Sequence, residues 1–99
     1  MAQIGSFTRG ENGIYTGEIR TLTLRVKATI RPVERDNDKA PDHRVHTGGV
    51  EFGAGWSKAA RDTGAEYLSL KLDDPSLPAP IYAQLVQGEL PEWKLIWSR

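Results

Sequence analysis

Two histidines and several aspartates lie close together in the first half of the chain, and these residue types are suited to metal or acid–base chemistry. His43 and His46 are the only histidines, and Asp36, Asp38 and Asp42 precede them. A spacing of three places the two imidazoles on opposite faces of a strand, although one helical turn would bring them together. Because a metal site needs three or four converging ligands, we interpret this segment as a solvated polar loop and predict no metal ion.

Other patterns that would indicate catalysis are incomplete. Asp36–Asp38 begins like a calcium-binding loop, but Ala40 and Pro41 stand where a third oxygen ligand and a glycine are required. The paired carboxylates Asp73–Asp74 precede a proline, which is typical of a turn. The chain has no cysteine, and no glycine-rich segment carries the lysine and serine of a phosphate loop. The sequence therefore predicts a protein that is not an enzyme and needs no cofactor.

The most informative charges lie in residues 20–31, a segment with four basic residues and no acidic one. Its bases alternate with apolar residues, as they would on the exposed face of a strand. Two later segments carry tyrosines and a lysine on their predicted exposed faces. If these strands are neighbours, they form a basic sheet face that bears two aromatic rings. The six residues of this predicted site are Arg25, Lys27, Arg31, Tyr67, Lys71 and Tyr82.

Cations that follow a phosphate backbone, combined with aromatic rings that stack on bases, are typical of proteins that bind single-stranded nucleic acid. We expect Arg25, Lys27 and Arg31 to contact phosphates. Tyr67 and Tyr82 would stack on nucleobases, and Lys71 would assist. Two alternatives remain open: the face could be a protein interface, or it could serve only solubility and edge protection. An exposed apolar patch around Trp93 or Leu77 would favour a protein-binding module.

Strict alternation of apolar and polar residues predicts that strands position these side chains. The longest example is residues 21–31, where Leu22, Leu24 and Val26 begin the apolar face. Trp56, Trp93 and Trp97 are in register with apolar residues, so we assign all three to the core. The predicted strands are residues 4–8, 14–16, 21–31, 50–56, 67–72, 81–86 and 93–98.

These elements predict an all-β fold, a small antiparallel barrel or curled sheet of six to seven strands. At most one short helical turn is expected, within residues 57–62. With 99 residues and 11.0 kDa, the chain is long enough for a single domain over residues 1–99. A polar loop at residues 34–44 and a proline-rich connection at residues 73–80 interrupt the strands.

Composition limits the classes of partner. The 13 basic and 13 acidic residues cancel, which excludes a polybasic nucleic-acid coat and an acidic DNA mimic. The first residues lack the basic and apolar regions of a signal peptide. No apolar run approaches the roughly 18 residues that span a bilayer. We therefore expect a cytoplasmic protein without a membrane partner, and unpaired strand edges could also support a homodimer.

Several long runs resemble domain-of-unknown-function family 736. They are residues 19–24, residues 38–45, residues 67–75 with the following 78–83, and the closing residues 95–99. The resemblance covers nearly the whole chain. It implies a small bacterial protein whose relatives are often encoded on plasmids and integrative conjugative elements. The family has no established activity and no catalytic residues, so it implies none for this chain.

Proteins encoded in that setting handle single-stranded DNA, assist transfer or block host defence. The resemblance therefore agrees with our leading hypothesis, a non-enzymatic accessory protein of a mobile genetic element that binds single-stranded nucleic acid. The alternative is a protein-binding module, such as an inhibitor of a host defence nuclease or an accessory of the conjugation machinery.

Overall fold

The structure is a computed structural model, which describes residues 2–34, 36–89 and 91–97. Alternating side chains, separated by glycine- and proline-rich turns, form strands throughout this part of the chain. The strands are β1 (Ala2–Arg9), β2 (Tyr15–Arg20), β3 (Arg25–Pro32), β4 (His43–Thr47), β5 (Val50–Ala59), β6 (Glu66–Leu72), β7 (Ile81–Gln87) and β8 (Glu92–Trp97).

The strands close into an antiparallel barrel in which each strand pairs with the next and β8 pairs with β1. The predicted all-β barrel class is therefore confirmed. The predicted count of six to seven strands is wrong, because β4 forms an additional strand. No helix is present in the described residues: Ser57–Ala59 continues β5, and a single turn follows, in which the Gly64 amide donates to the Ala60 carbonyl at 2.8 Å. The last predicted strand reached Ser98, which lies outside the described residues.

Strand β4 was missed because its residues carry little apolar alternation. Val45 is its one fully buried side chain, and the other four positions are only half buried. The predicted polar loop at 34–44 consequently ends earlier, at Asp42, and its Arg35 lies outside the described residues. The connection at residues 73–80 joins β6 to β7.

Inward-facing side chains from all eight strands fill the barrel, because every second residue of a strand points to the same face. β6 shows the pattern clearly, with Leu68, Leu70 and Leu72 buried between half-exposed polar neighbours. The buried core consists of Ile4, Phe7, Tyr15, Ile19, Ala28, Ile30, Val45, Phe52, Leu68, Leu70, Leu72, Ala83, Leu85, Trp93 and Leu95.

Gly17 allows β2 to approach β1 closely where Phe7 fills the barrel. The two residues are direct partners in the β1–β2 ladder. A Cβ at position 17 would lie 2.0 Å from the Ser6 carbonyl oxygen and 2.7 Å from the Phe7 Cα. Any side chain at this position therefore requires the backbone to move.

The strand predicted at residues 21–31 begins only at Arg25, and Leu22 is fully exposed instead of buried. Residues 21–24 form a tight turn, because the Thr21 amide donates to the Leu24 carbonyl at 2.7 Å. The Thr21 hydroxyl also accepts a hydrogen bond from the Leu24 amide at 3.0 Å. These local hydrogen bonds replace the ladder that the alternation alone predicted.

The assignment of Trp56 to the core is also wrong. Its ladder partner on β6 is Ser69, on the outer face, and its indole nitrogen donates to the Lys39 carbonyl at 3.0 Å. In the β4–β5 ladder Val45 pairs with Gly53 and His46 with Glu51, so Phe52 is a bulge residue without a partner on β4. The residues of β5 that follow Phe52 therefore face the side opposite to the one that alternation predicts. Trp93 is buried as expected, and Trp97 is half buried against the core.

Turns divide the barrel into two ends. The Tyr15 end carries the connections that follow β1, β3, β5 and β7, and the Leu22 end carries those that follow β2, β4 and β6. Within the described residues, no helix is long and apolar enough to cross a bilayer.

Candidate functional site

The six residues predicted to bind nucleic acid do not form one continuous face. Arg25, Lys27 and Arg31 project outward from β3, whereas Tyr67 and Lys71 project from β6. Two strands, β4 and β5, separate β3 from β6, and β7 lies four strands from β3. In an eight-stranded barrel three strand steps correspond to roughly 135° around the axis. The basic strand and the tyrosine-bearing strands therefore face different directions.

Of the six residues, pairing between strands makes only Lys71 and Tyr82 direct neighbours, in the β6–β7 ladder. Tyr67 lies near the Tyr15 end, whereas Tyr82 lies near the Leu22 end and is 63% exposed. The two tyrosines consequently belong to different surfaces.

The neighbouring strand β2 supplies an acid to the acid-free strand β3. Glu18 pairs with Lys27 in the ladder, and its carboxylate accepts a hydrogen bond from the Arg25 guanidinium at 3.2 Å. Both side chains of this ion pair are exposed to solvent, so its contribution to stability is small. Arg31 faces another base, Arg44. Glu18 thus reduces the net positive charge at the start of β3, near Arg25 and Lys27.

An apolar groove of about 810 Å³ crosses the Leu22 end of the barrel. One wall is the tight turn after β2, and the other is the proline-rich connection that leads into β7. The half-buried side chains of Leu24, Ile81 and Trp97 pack on the core at its floor. The groove is lined by Gln3, Ile4, Arg20, Thr21, Leu22, Thr23, Leu24, Leu77, Pro78, Ala79, Pro80, Ile81, Tyr82 and Trp97.

The rim of this groove exposes large apolar side chains to solvent. Leu22 has a relative exposure of 104%, and Tyr82 one of 63%. Leu77 is half buried, and Pro78 and Pro80 are exposed beside it. A contiguous exposed apolar surface with a polar rim is characteristic of an interaction site. This patch includes Leu77, and an exposed apolar patch around Leu77 was expected to favour a protein-binding module.

Arg20 is the one charged residue in the lining of the groove as the described residues form it. Arg20 is exposed on the first wall and makes no ion pair with any residue that the structure describes. Asp73 and Asp74 begin the proline-rich connection but do not line the groove. The hydroxyl and amide of Ser76 donate hydrogen bonds to Asp74, at 2.5 and 2.9 Å, and hold the pKa of that carboxyl below its usual range. A partner in the groove would meet the cation of Arg20 beside an otherwise uncharged lining.

A second cavity, of about 360 Å³, opens at the Tyr15 end. Its walls include the buried rings of Tyr15 and Trp93 together with His43. His43 faces inward opposite its ladder partner Gly55. A Cβ added to Gly55 would lie 3.2 Å from the His43 Cβ, so the glycine leaves room for the imidazole. Sequence reasoning missed this arrangement because β4 was treated as a loop.

Asp42 holds the His43 ring in place. The carboxylate lies 2.7 Å from His43 Nδ1 and accepts hydrogen bonds from the Ser57 amide at 3.0 and 3.2 Å. Burial raises the pKa of Asp42, but hydrogen bonds from His43 and Ser57 outweigh it and leave the pKa below its usual range. Asp42 therefore remains a carboxylate, and Nδ1 carries the proton that it donates.

The second histidine lies apart from this arrangement. His46 belongs to the outer face of β4, where its Nε2 lies 3.7 Å from the Glu51 carboxylate. His43 and His46 are thus on opposite faces of one strand. Across the described ranges, no group of three or more histidine or carboxylate side chains could hold a metal ion.

A family model described as "Protein of unknown function (DUF736)" matches residues 3–99. Comparison with curated proteins and with solved structures finds no match.

Proposed function

The chain belongs to the DUF736 family of proteins of unknown function, and we propose that it is a protein-binding module that uses the groove at its Leu22 end. The observation that carries this proposal is the full exposure of Leu22 beside an apolar groove of about 810 Å³. Solvation of so much contiguous apolar surface is unfavourable by about 25 cal/mol per Å². A partner that covers the surface recovers this free energy.

Recognition in this module proceeds by side-chain insertion and not by strand addition. Each of the eight strands pairs with two neighbours, and open sheet edge is short, as at residues 25–28 of β3, which extend beyond its ladder with β4. Closure of the barrel supports insertion of side chains over pairing of strand edges, from which a homodimer was expected. The groove between the two walls remains as the place where apolar anchors can be buried.

The occupant that we propose is an apolar segment of a different protein that carries an acidic residue beside its anchors. Its apolar side chains would contact Leu24, Ile81 and Trp97 at the floor. Its carboxylate would approach Arg20, which has no ion-pair partner among the described residues. The setting implied by the family resemblance suggests that this protein belongs to the conjugation machinery or to a host defence system.

Selection from a displayed library of random peptides tests the groove directly. We expect enriched peptides to combine two or three large apolar residues with Asp or Glu. Titration of such a peptide into isotopically labelled protein should shift the amide resonances of Leu22, Leu24 and Leu77. Shifts confined to the outer faces of β3 and β6 would contradict the proposal.

Matched variants separate the groove from general surface hydrophobicity. Leu22→Asp should weaken peptide binding by at least about tenfold, because it places a charge at an apolar contact. Val50→Asp is the control, since Val50 is 56% exposed at the same end but does not line the groove. Equal effects of the two variants would contradict the proposal. Concentration-dependent dimerisation that Leu22→Asp abolishes would instead identify a second copy as the occupant.

A further inference from the structure

The cavity at the Tyr15 end has features that the protein-binding proposal does not use. It lies at the barrel end opposite the groove and measures about 360 Å³, within the size range of small-molecule sites. Tyr15 and Trp93 form an edge-to-face pair, with ring centroids 5.3 Å apart and an interplanar angle of 84°. Together with Leu68 they give the cavity a rigid, largely aromatic floor.

Two polar groups on this floor lack partners among the described residues. Tyr15 is only 4% exposed, yet its hydroxyl makes no hydrogen bond with any residue that the structure describes. His43 uses Nδ1 for Asp42, and its Nε2 has no partner in the same part of the chain. Neither atom is sealed from solvent, so both are accessible to hydrogen-bond with a molecule that enters the cavity.

Cations stand at the mouth of the cavity. The Arg9 guanidinium carbon lies 5.6 Å from the centre of the Tyr15 ring. Lys58, which pairs with Tyr67 on the outer face of the barrel, is exposed at the rim. Glu66 is the single carboxylate among the lining residues, and Asp42 is already engaged by His43 and Ser57. The mouth therefore favours an anionic group, and Glu66 can accept a hydrogen bond from a ligand N–H.

We propose that this cavity binds a small molecule in which a flat aromatic or heteroaromatic ring carries an anionic group. The ring would pack on Tyr15 and Trp93, where apolar and quadrupolar contacts are favourable. The anion would contact Arg9, with the charge of Lys58 at the rim adding to the attraction, and the hydroxyl of Tyr15 would donate to the ligand. A nucleoside monophosphate and an aromatic carboxylate share this chemistry, and binding measurements distinguish the two.

Nuclear magnetic resonance titration of the whole chain provides the test. The protein has two histidines and three tryptophans, so the ring signals of His43 and Trp93 can be assigned and followed individually. Probes are adenosine 5′-monophosphate, indole-3-propionate, adenosine and inorganic phosphate. We expect saturable shifts at His43 and Trp93 with one of the two ring-bearing anions, and at least about fivefold weaker binding of adenosine or phosphate.

Variants at the mouth identify the anion contact. Arg9→Gln should weaken binding of the ring-bearing anion about three- to tenfold while leaving that of adenosine unchanged. Arg61→Gln is the control, because Arg61 lies in an exposed turn at the same end and does not line the cavity. If Arg9→Gln does not fold, Lys58→Gln provides the same comparison.

Three results would overturn the proposal. One is the absence of saturable shifts at His43 and Trp93 with either ring-bearing anion at millimolar concentration. Another is equal affinity for adenosine and its monophosphate when indole-3-propionate does not bind. The third is equal weakening by Arg9→Gln and Arg61→Gln, which would indicate a general effect of net charge.

Discussion

The phenol ring of Tyr15 lies edge-on to the indole of Trp93, with centroids 5.3 Å apart, and the two rings close the interior of the barrel at one end. Both rings are more than nine-tenths buried. The ladder also pairs Tyr15 with Ile30 on β3, so the pair connects β2 and β8 above the aliphatic core. Stability at this end therefore depends on an ionisable ring that must stay neutral.

Alkaline pH should destabilise the barrel through Tyr15. Burial raises the pKa of its hydroxyl above the usual value near 10, with Arg9 lowering it and Glu66 raising it by smaller amounts. A raised pKa in the folded state means that the associated stability is complete below pH 10 and is lost as the pH rises through the folded pKa. Urea unfolding between pH 8 and 12 should therefore show a decline that is smaller for Tyr15→Phe. An identical decline in both proteins would contradict the role of Tyr15.

Acid should destabilise the barrel in part through Asp42. Its pKa is lowered by the hydrogen bonds from His43 and Ser57, so this stability is present above the unfolded pKa near 4 and is lost as the pH falls through the folded value. Asp42→Asn should reduce the free energy of unfolding by about 1–2 kcal/mol at pH 6. The difference between wild type and variant should shrink as the pH falls towards 2. Asp36→Asn, in the exposed part of the same loop, is the control with little expected effect.

Gly17→Ala should be among the most damaging single-methyl substitutions in the chain. The new Cβ would clash with the Ser6 carbonyl and the Phe7 backbone, and we expect a loss of about 3 kcal/mol in unfolding free energy. Gly48→Ala tests the contrasting case, with a φ of +54° but no neighbouring atom within 4 Å of the Cβ. Its expected cost is about 1–2 kcal/mol. Chemical denaturation of the two variants measures both values, and a smaller loss for Gly17→Ala would contradict the packing of β1 on β2.

Substitution of Leu22 should leave stability nearly unchanged. Its side chain is fully exposed, so Leu22→Ser should change the free energy of unfolding by less than about 0.5 kcal/mol. Leu24 packs against the core, and Leu24→Ser should cost about 1–3 kcal/mol. A large loss for Leu22→Ser would mean that the strand starts at residue 21, as the alternation alone indicated.

Binding of single-stranded nucleic acid through the six-residue site stays a prediction with its own measurement. Fluorescence anisotropy with labelled oligonucleotides at low salt should show binding, and Lys27→Glu should weaken it and flatten its salt dependence. Absence of binding at tens of micromolar protein would remove this hypothesis. Since β3 and β6 face different directions, retention of binding in Tyr67→Ala with loss in Lys27→Glu would indicate that β3 alone contacts the strand.

Local alternation was sufficient to predict most of the barrel strands. In β6 and β7 the apolar residues at every second position all proved buried or half buried. This holds because a strand with one solvent-exposed and one buried face has polar and apolar residues in alternation along its own sequence. The polar faces were identified for the same reason, so Lys27, Lys71 and Tyr82 do project outward.

The sequence by itself thus determined the all-β class, the outward faces and the turns between most strands, since these depend on neighbours within a few residues. Only the tertiary structure decided closure, because pairing of β8 with β1 joins segments at opposite ends of the chain. Closure separated the basic strand from the tyrosines. The β5 bulge turned Trp56 outward, and the local hydrogen bonds of Thr21 left Leu22 exposed beside the groove. Register, bulges and the distance around a barrel depend on contacts between distant strands, which the periodicity of a single strand does not record.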